Sequence, residues 1–146
     1  MIVWYLSHQD KSDPMNGCPI ELKDELVKLF HRRRNQRPFV AELSGANGFQ
    51  ITFGIGTDLC CVQYSRTDGA PPYLMAVSPH PPMRRGLVEF IAANTLTPFA
   101  ARYIISFEEL KEIALHFLET GERSNKFNWL PFDPKAYKED TTRPRG

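Results

Sequence analysis

Residues 39–64 read FVAELSGANGFQITFGIGTDLCCVQY, and this stretch decides the fold. Phe39, Ala41 and Leu43 stand at alternate positions, and Ile51, Phe53 and Ile55 do the same. A period of two places one set of side chains on one face of a strand. LCCVQY, residues 59–64, continues the pattern, and GIGTD between the last two runs has the composition of a hairpin turn. The middle of the chain is therefore expected to be consecutive, hairpin-linked strands.

Upstream, IVWYL (2–6) reads as a first strand and SHQDKSDPMNG as a loop rich in turn formers. PIELKDELVKLFHRRRNQ, from Pro19, places Leu22, Leu26, Leu29 and Phe30 on one helical stripe. Its acidic residues come early and Arg32, Arg33 and Arg34 come late, which complements the helix macrodipole. Pro38 is expected to end it. Downstream, PYLMAV is a fourth strand candidate, SPHPPMRR a proline-rich loop, and LVEFIA (87–92) another strand. FAARYII after Pro98 reads as a last short extended segment.

The clearest helix follows. Ser106-Phe107-Glu108-Glu109 is a capping box, in which Ser106 and Glu109 each satisfy one open backbone amide. Leu110, Ile113, Ala114, Phe117 and Leu118 form its apolar stripe, and Gly121 supplies a left-handed stop. A helix, a run of strands and a second helix predict an α+β domain: a mainly antiparallel sheet of about five to six strands with an N-terminal and a C-terminal helix packed on it. Residues 1–130 are expected to form this single domain and residues 131–146 a polar, loosely held tail.

Composition bounds the function. The chain has 146 residues, 42% hydrophobic and 24% charged, as in an ordinary soluble domain. A net charge of +1 argues against a dedicated nucleic-acid binder, whose phosphate contacts call for a strongly basic surface. Three cysteines, two of them adjacent, make a poor disulfide framework and point to a reducing, cytoplasmic setting. The N-terminal apolar run is short and lacks a basic lead, so no signal peptide is expected. No stretch approaches the ~20 apolar residues of a membrane span.

Candidate chemistry is thin. Gly54-Ile55-Gly56 lacks the third glycine and the following helix of a dinucleotide loop. His8, His31, His80 and His116 have no metal-site spacing, so neither metal nor cofactor is expected. Cys60 or Cys61 could serve as a nucleophile, but each has the setting of a core thiol. A small cytoplasmic enzyme with a Cys or carboxylate site stands as the alternative reading. Arg32 to Arg37 could grip phosphate, although a helix C-terminus accounts for the cluster without a ligand. Glu89 projects from the strand face opposite Val88 and Phe90, which makes it a candidate contact.

ISFEELKEIALHFLETGERSNKFNW, residues 105–129, resembles the C-terminal signature of the first-numbered immunity family of bacterial polymorphic toxin systems. The matching positions are Phe117, Thr120, Gly121 and Trp129, and the hairpin ending at Tyr64 resembles the family's central strand pair. The resemblance implies a non-enzymatic cytoplasmic protein that binds and neutralises a cognate toxin domain, such as a nuclease or nucleobase deaminase, by occlusion. Direct contact with nucleic acid or membrane is not expected. The expected contacts are Asp58, Tyr64, Asp68, Tyr73 and Glu89, on turns and on the outer sheet face. Ser106, Glu109, Phe117, Gly121 and Trp129 are expected to be structural, with Trp129 closing the fold. Many immunity proteins against nucleic-acid enzymes are acidic. This chain is not, so either its acidic groups share one face or its toxin is not strongly basic.

Overall fold

A computed structural model of the protein describes residues 1–6, 13–34, 39–56, 59–79, 87–92 and 95–133. Six strands make one antiparallel sheet: β1 (Ile2–Tyr5), β2 (Phe39–Ser44), β3 (Phe49–Gly56), β4 (Leu59–Arg66), β5 (Leu74–Val77) and, last in the chain, β8 (Asn128–Pro131). They lie in the order β1-β2-β3-β4-β5-β8. β6 (Leu87–Ala92) and β7 (Thr95–Ala100) form a separate hairpin, and β6 lies against β2 and β3. Helices α1 (Lys23–Arg34) and α2 (Phe107–Thr120) complete an α+β architecture.

Alternation sorts the sheet into two faces. Val3 and Tyr5, Phe39, Ala41 and Leu43, Ile51, Phe53 and Ile55, Cys60, Val62 and Tyr64, and Ala76 all point to the helices. There they meet Leu26, Leu29 and Phe30 of α1 and Phe107, Leu110, Ile113, Ala114 and Phe117 of α2. Phe30 packs edge-on to Phe53, with ring centroids 5.1 Å apart. The opposite face carries a smaller cluster of Val40, Cys61, Met75, Tyr103 and Ile104. Cys60 and Cys61 thus serve two different cores, as neighbours on a strand must, and all three cysteines are thiols.

The first helix begins later than its apolar spacing suggests. Pro19 forms a β-bridge with Ile2, and Ile20 donates its amide to the Met1 carbonyl at 2.6 Å. The chain is thereby committed to covering the β1 edge before it can turn helical. Leu22, expected on the buried stripe, is 65% exposed. It lies one residue before the helix, where the Glu25 carboxylate accepts its amide at 3.2 Å. Pro38 lies outside the described residues.

Two further segments depart from the periodicity. FAARYII is not one extended run: β7 already spans Thr95–Ala100 with Pro98 inside it, and Ala101–Tyr103 is a 3-10 turn. Ile105 then exchanges both backbone hydrogen bonds with Cys60, extending the ladder beside β4. Asn128–Pro131 was not expected as a strand, yet it pairs with β5, with Trp129 opposite Ala76. A four-residue edge strand joined over a long interval leaves no local periodicity to read. The strand ends at Pro131, beyond which Phe132 donates its amide to the Tyr73 carbonyl. Residues 134–146 lie outside the described residues.

Candidate partner-binding surface

The connection from β4 to β5 holds two of the expected contacts. Gly69, at φ +79°, turns the chain there. The Asp68 carboxylate accepts the Ala70 amide at 2.9 Å and pairs with the Arg66 guanidinium. The Ala70 amide, and Arg66 after it, hold the Asp68 carboxyl below the usual carboxylate range. The Tyr73 hydroxyl donates to the Gly69 carbonyl, closing the loop on itself while the ring stays 40% exposed. Asp68 and Tyr73 therefore stand together on an exposed loop with its own internal bonding.

Tyr64 is placed differently. Its position in β4 sends it to the helix side, not to the outer face, and it is only 9% exposed. Phe49 stacks on it at 5.0 Å, Phe117 and Trp129 meet it edge-on, and the Arg123 guanidinium sits 5.3 Å over the ring. Glu122, Arg123 and Tyr64 line a shallow polar cavity of about 270 Å³ at the same end of the sheet. Glu89 lies on β6 opposite Pro98, but its side chain is outside the described set, as is the whole of Asp58. Of the five residues, the structure brings Asp68 and Tyr73 into one loop and leaves Tyr64 beneath the adjoining rim.

The segment that closes the fold is bonded throughout. The Ser106 hydroxyl accepts the Glu109 amide at 3.1 Å, and the Glu109 carboxylate accepts the Ser106 amide at 2.9 Å. The other carboxylate oxygen of Glu109 accepts the Ser78 hydroxyl at 2.6 Å, tying the helix start to the end of β5. At the far end Gly121 adopts φ +74°, and its amide returns to the Phe117 carbonyl. The Thr120 hydroxyl donates to the His116 carbonyl and accepts the Glu122 amide. The Trp129 indole donates to the Ser124 carbonyl at 2.9 Å.

The basic run at the end of α1 is taken up internally. Arg32 and Arg33 both pair with Asp13. The buried Arg33 lies over the rings of both Tyr5 and Phe39, at 5.0 and 4.5 Å, and Arg34 lies over Phe107 at 4.3 Å. Arg37 is outside the described residues. Burial pushes the Cys61 thiol well above its ordinary pKa, the opposite of what a nucleophile requires. Among the described residues no group of three His, Cys, Asp or Glu side chains could hold a metal ion, and no helix is long and apolar enough to cross a membrane.

A family model described as immunity protein Imm1 matches residues 16–131. The chain belongs to the Imm1 immunity protein family. No curated protein matches it. The Imm1 match runs from the segment covering the β1 edge to the last residue of β8. It includes the capped helix, its glycine stop and the tryptophan that returns to the sheet. Imm1 membership implies a protein toxin as partner in general terms.

Further residues of the rim and of the outer sheet face carry their own signals in the sequence. Asn47 and Arg123 brace the rim from the β2–β3 turn and the α2–β8 connection. Asn47-Gly48 between two alternating runs is itself a hairpin signal. Trp4 and Glu42 share the outer face of the sheet, and the alternation of IVWY and FVAELS already sets them opposite Val3 and Leu43.

Proposed function

We propose that this protein binds a cognate secreted toxin domain in the cytoplasm and neutralises it by occlusion, without catalysis of its own. The Imm1 match over residues 16–131 carries this reading. A nuclease or nucleobase deaminase is the toxin class that the family resemblance implies. We place the contact surface on the β4–β5 loop with Asp68 and Tyr73, with Asp58 and Glu89 as further members. Tyr64 supports the adjoining rim from below. An exposed loop closed by its own hydrogen bonds presents an aromatic and a carboxylate with little left to order on binding, which favours affinity.

The surface charge bears on which toxin fits. The exposed glutamates of α2 are matched by lysines: Glu108 with Lys111, Glu112 with Lys126, and Glu119 with Lys23. The helix face is thus mixed in sign, and long-range steering of a strongly basic toxin is not its design. The alternative of a small enzyme draws no support from Cys61, whose thiol is held protonated.

The test is co-expression with toxin domains encoded by the same source. Protection of growth together with a stoichiometric complex on gel filtration is expected for the cognate domain. Failure of every such domain to bind would overturn the proposal.

A further inference from the structure

β1, β2 and β3 read IVWY, FVAELS and FQITFGIG, and together they carry one charged residue, Glu42. Glu42 points to the face away from the helices, directly opposite Trp4 on β1 and Thr52 on β3. Cross-strand partners of this kind hold their Cβ atoms about 4.5–5.5 Å apart. Trp4 is 45% exposed although the chain folds back beside it, and a Cβ added at Gly17 would lie 3.1 Å from the indole. That approach supports one part of the ring and leaves the remainder open.

The carboxylate is poorly provided for. Its one hydrogen bond is a long one, 3.4 Å from the Gln50 amide, and no ion pair reaches it among the described residues. Half-burial pushes the Glu42 carboxyl above its ordinary range, and Gln50 only partly offsets this. A desolvated anion beside an open indole, on three strands that carry no cation, is complementary to one kind of side chain. A guanidinium can stack on the indole and donate two parallel hydrogen bonds to the carboxylate; an ammonium cannot do both as well.

We infer that Trp4 and Glu42 form a receptor for one arginine side chain of a protein partner, with Gln50 and Thr52 as polar rim. The identification of that partner as the toxin rests on the function proposed above; the arginine chemistry does not. Tryptophan and arginine are the side chains most often found at the energetic centres of interfaces.

The direct probe is N-acetyl-arginine methylamide, titrated into the full chain while the indole NH resonances are followed by NMR. The chain has two tryptophans, so Trp129→Phe identifies the Trp4 signal. The expected result is a saturable shift of the Trp4 indole with a dissociation constant on the order of millimolar. N-acetyl-citrulline methylamide, of equal shape without the charge, should bind at least ~10-fold more weakly, as should arginine to Glu42→Gln. No saturable shift, an equal response to citrulline, or an unchanged response in a folded Glu42→Gln would overturn the inference. In a cognate toxin complex, Glu42→Gln should weaken binding by ~10-fold or more. An unchanged complex would remove Glu42 from the interface while leaving the immunity function standing. Failure of the wild-type chain to bind any toxin would count against that function, and the arginine titration would still decide the receptor.

Discussion

Asn47 donates its side-chain amide to the carbonyl of Gly121 at 2.8 Å, across 74 residues of chain. One partner sits at the tip of the β2–β3 hairpin and the other is the left-handed cap of α2. The helix C-terminus leaves carbonyls without intrahelical donors, and this bond satisfies one of them from the sheet. It also fixes where α2 ends relative to the β2–β3 turn. Asn47→Ala is expected to cost about 1–2 kcal/mol, as a lost partner leaves a part-buried carbonyl unsatisfied. Urea denaturation measures this, and a cost near zero would show that water replaces the amide.

Gly121→Ala should be worse tolerated than an ordinary glycine-to-alanine change. Its φ of +74° disfavours any side chain, and an added Cβ would stand 2.8 Å from the Asn47 amide nitrogen. The strain alone costs about 1–2 kcal/mol, and displacing Asn47 adds the loss described above. In the Asn47→Ala background the penalty for Gly121→Ala should shrink, a coupling that a double-mutant cycle reads directly.

Trp129→Ala should destabilise by about 3 kcal/mol, at the low end for aromatic truncations because the indole is only half-buried. Trp129→Phe keeps the contact with Tyr64 and gives up the hydrogen bond to Ser124, for about 1 kcal/mol. An unchanged melting temperature for Trp129→Ala, together with lost toxin binding, would move this residue from the fold to the interface.

Glu109 does more than a cap. Its two oxygens hold the Ser106 amide and the Ser78 hydroxyl, so Glu109→Ala should cost more than Ser106→Ala, about 2 against about 1 kcal/mol. Equal costs in thermal unfolding would mean that the bond to Ser78 contributes nothing.

Glu42 gives a pH signature. Its folded pKa is raised, so in the window between the unfolded and folded values the native state binds more protons than the unfolded state. Stability therefore falls as pH rises through that window. Glu42→Gln removes the penalty and should stabilise the chain at neutral pH, with the gain vanishing below about pH 4. Denaturation midpoints at the two pH values test the sign; a loss of stability at neutral pH would show that the ionised carboxylate is well satisfied.

At the β4–β5 loop, Tyr73→Ala and Asp68→Lys are expected to weaken toxin binding by on the order of tenfold or more each, with little change in melting temperature. Both side chains are exposed. Binding unaffected by the pair would place the interface elsewhere.

What the sequence determined by itself was local. The α2 helix, its capping box, its buried stripe and its glycine stop all lie within one continuous segment, so periodicity and end chemistry suffice to read them. The same holds for β2, β3 and β4 as strands, but alternation alone leaves open which set of side chains meets the helices: Tyr64, expected on the outer face, lies on the helix side. Tertiary structure decided everything that depends on distant partners. β8 is a strand only because β5 offers it an edge, and Pro19 is not helical because β1 claims that segment. Arg33, one member of a basic run that a helix C-terminus accounts for, is buried because Asp13, Tyr5 and Phe39 converge on it. Trp4 and Glu42 are 38 positions apart and become neighbours through strand register alone. Local signals report the angle at which a side chain leaves its own backbone; they carry no record of which other backbone will arrive beside it.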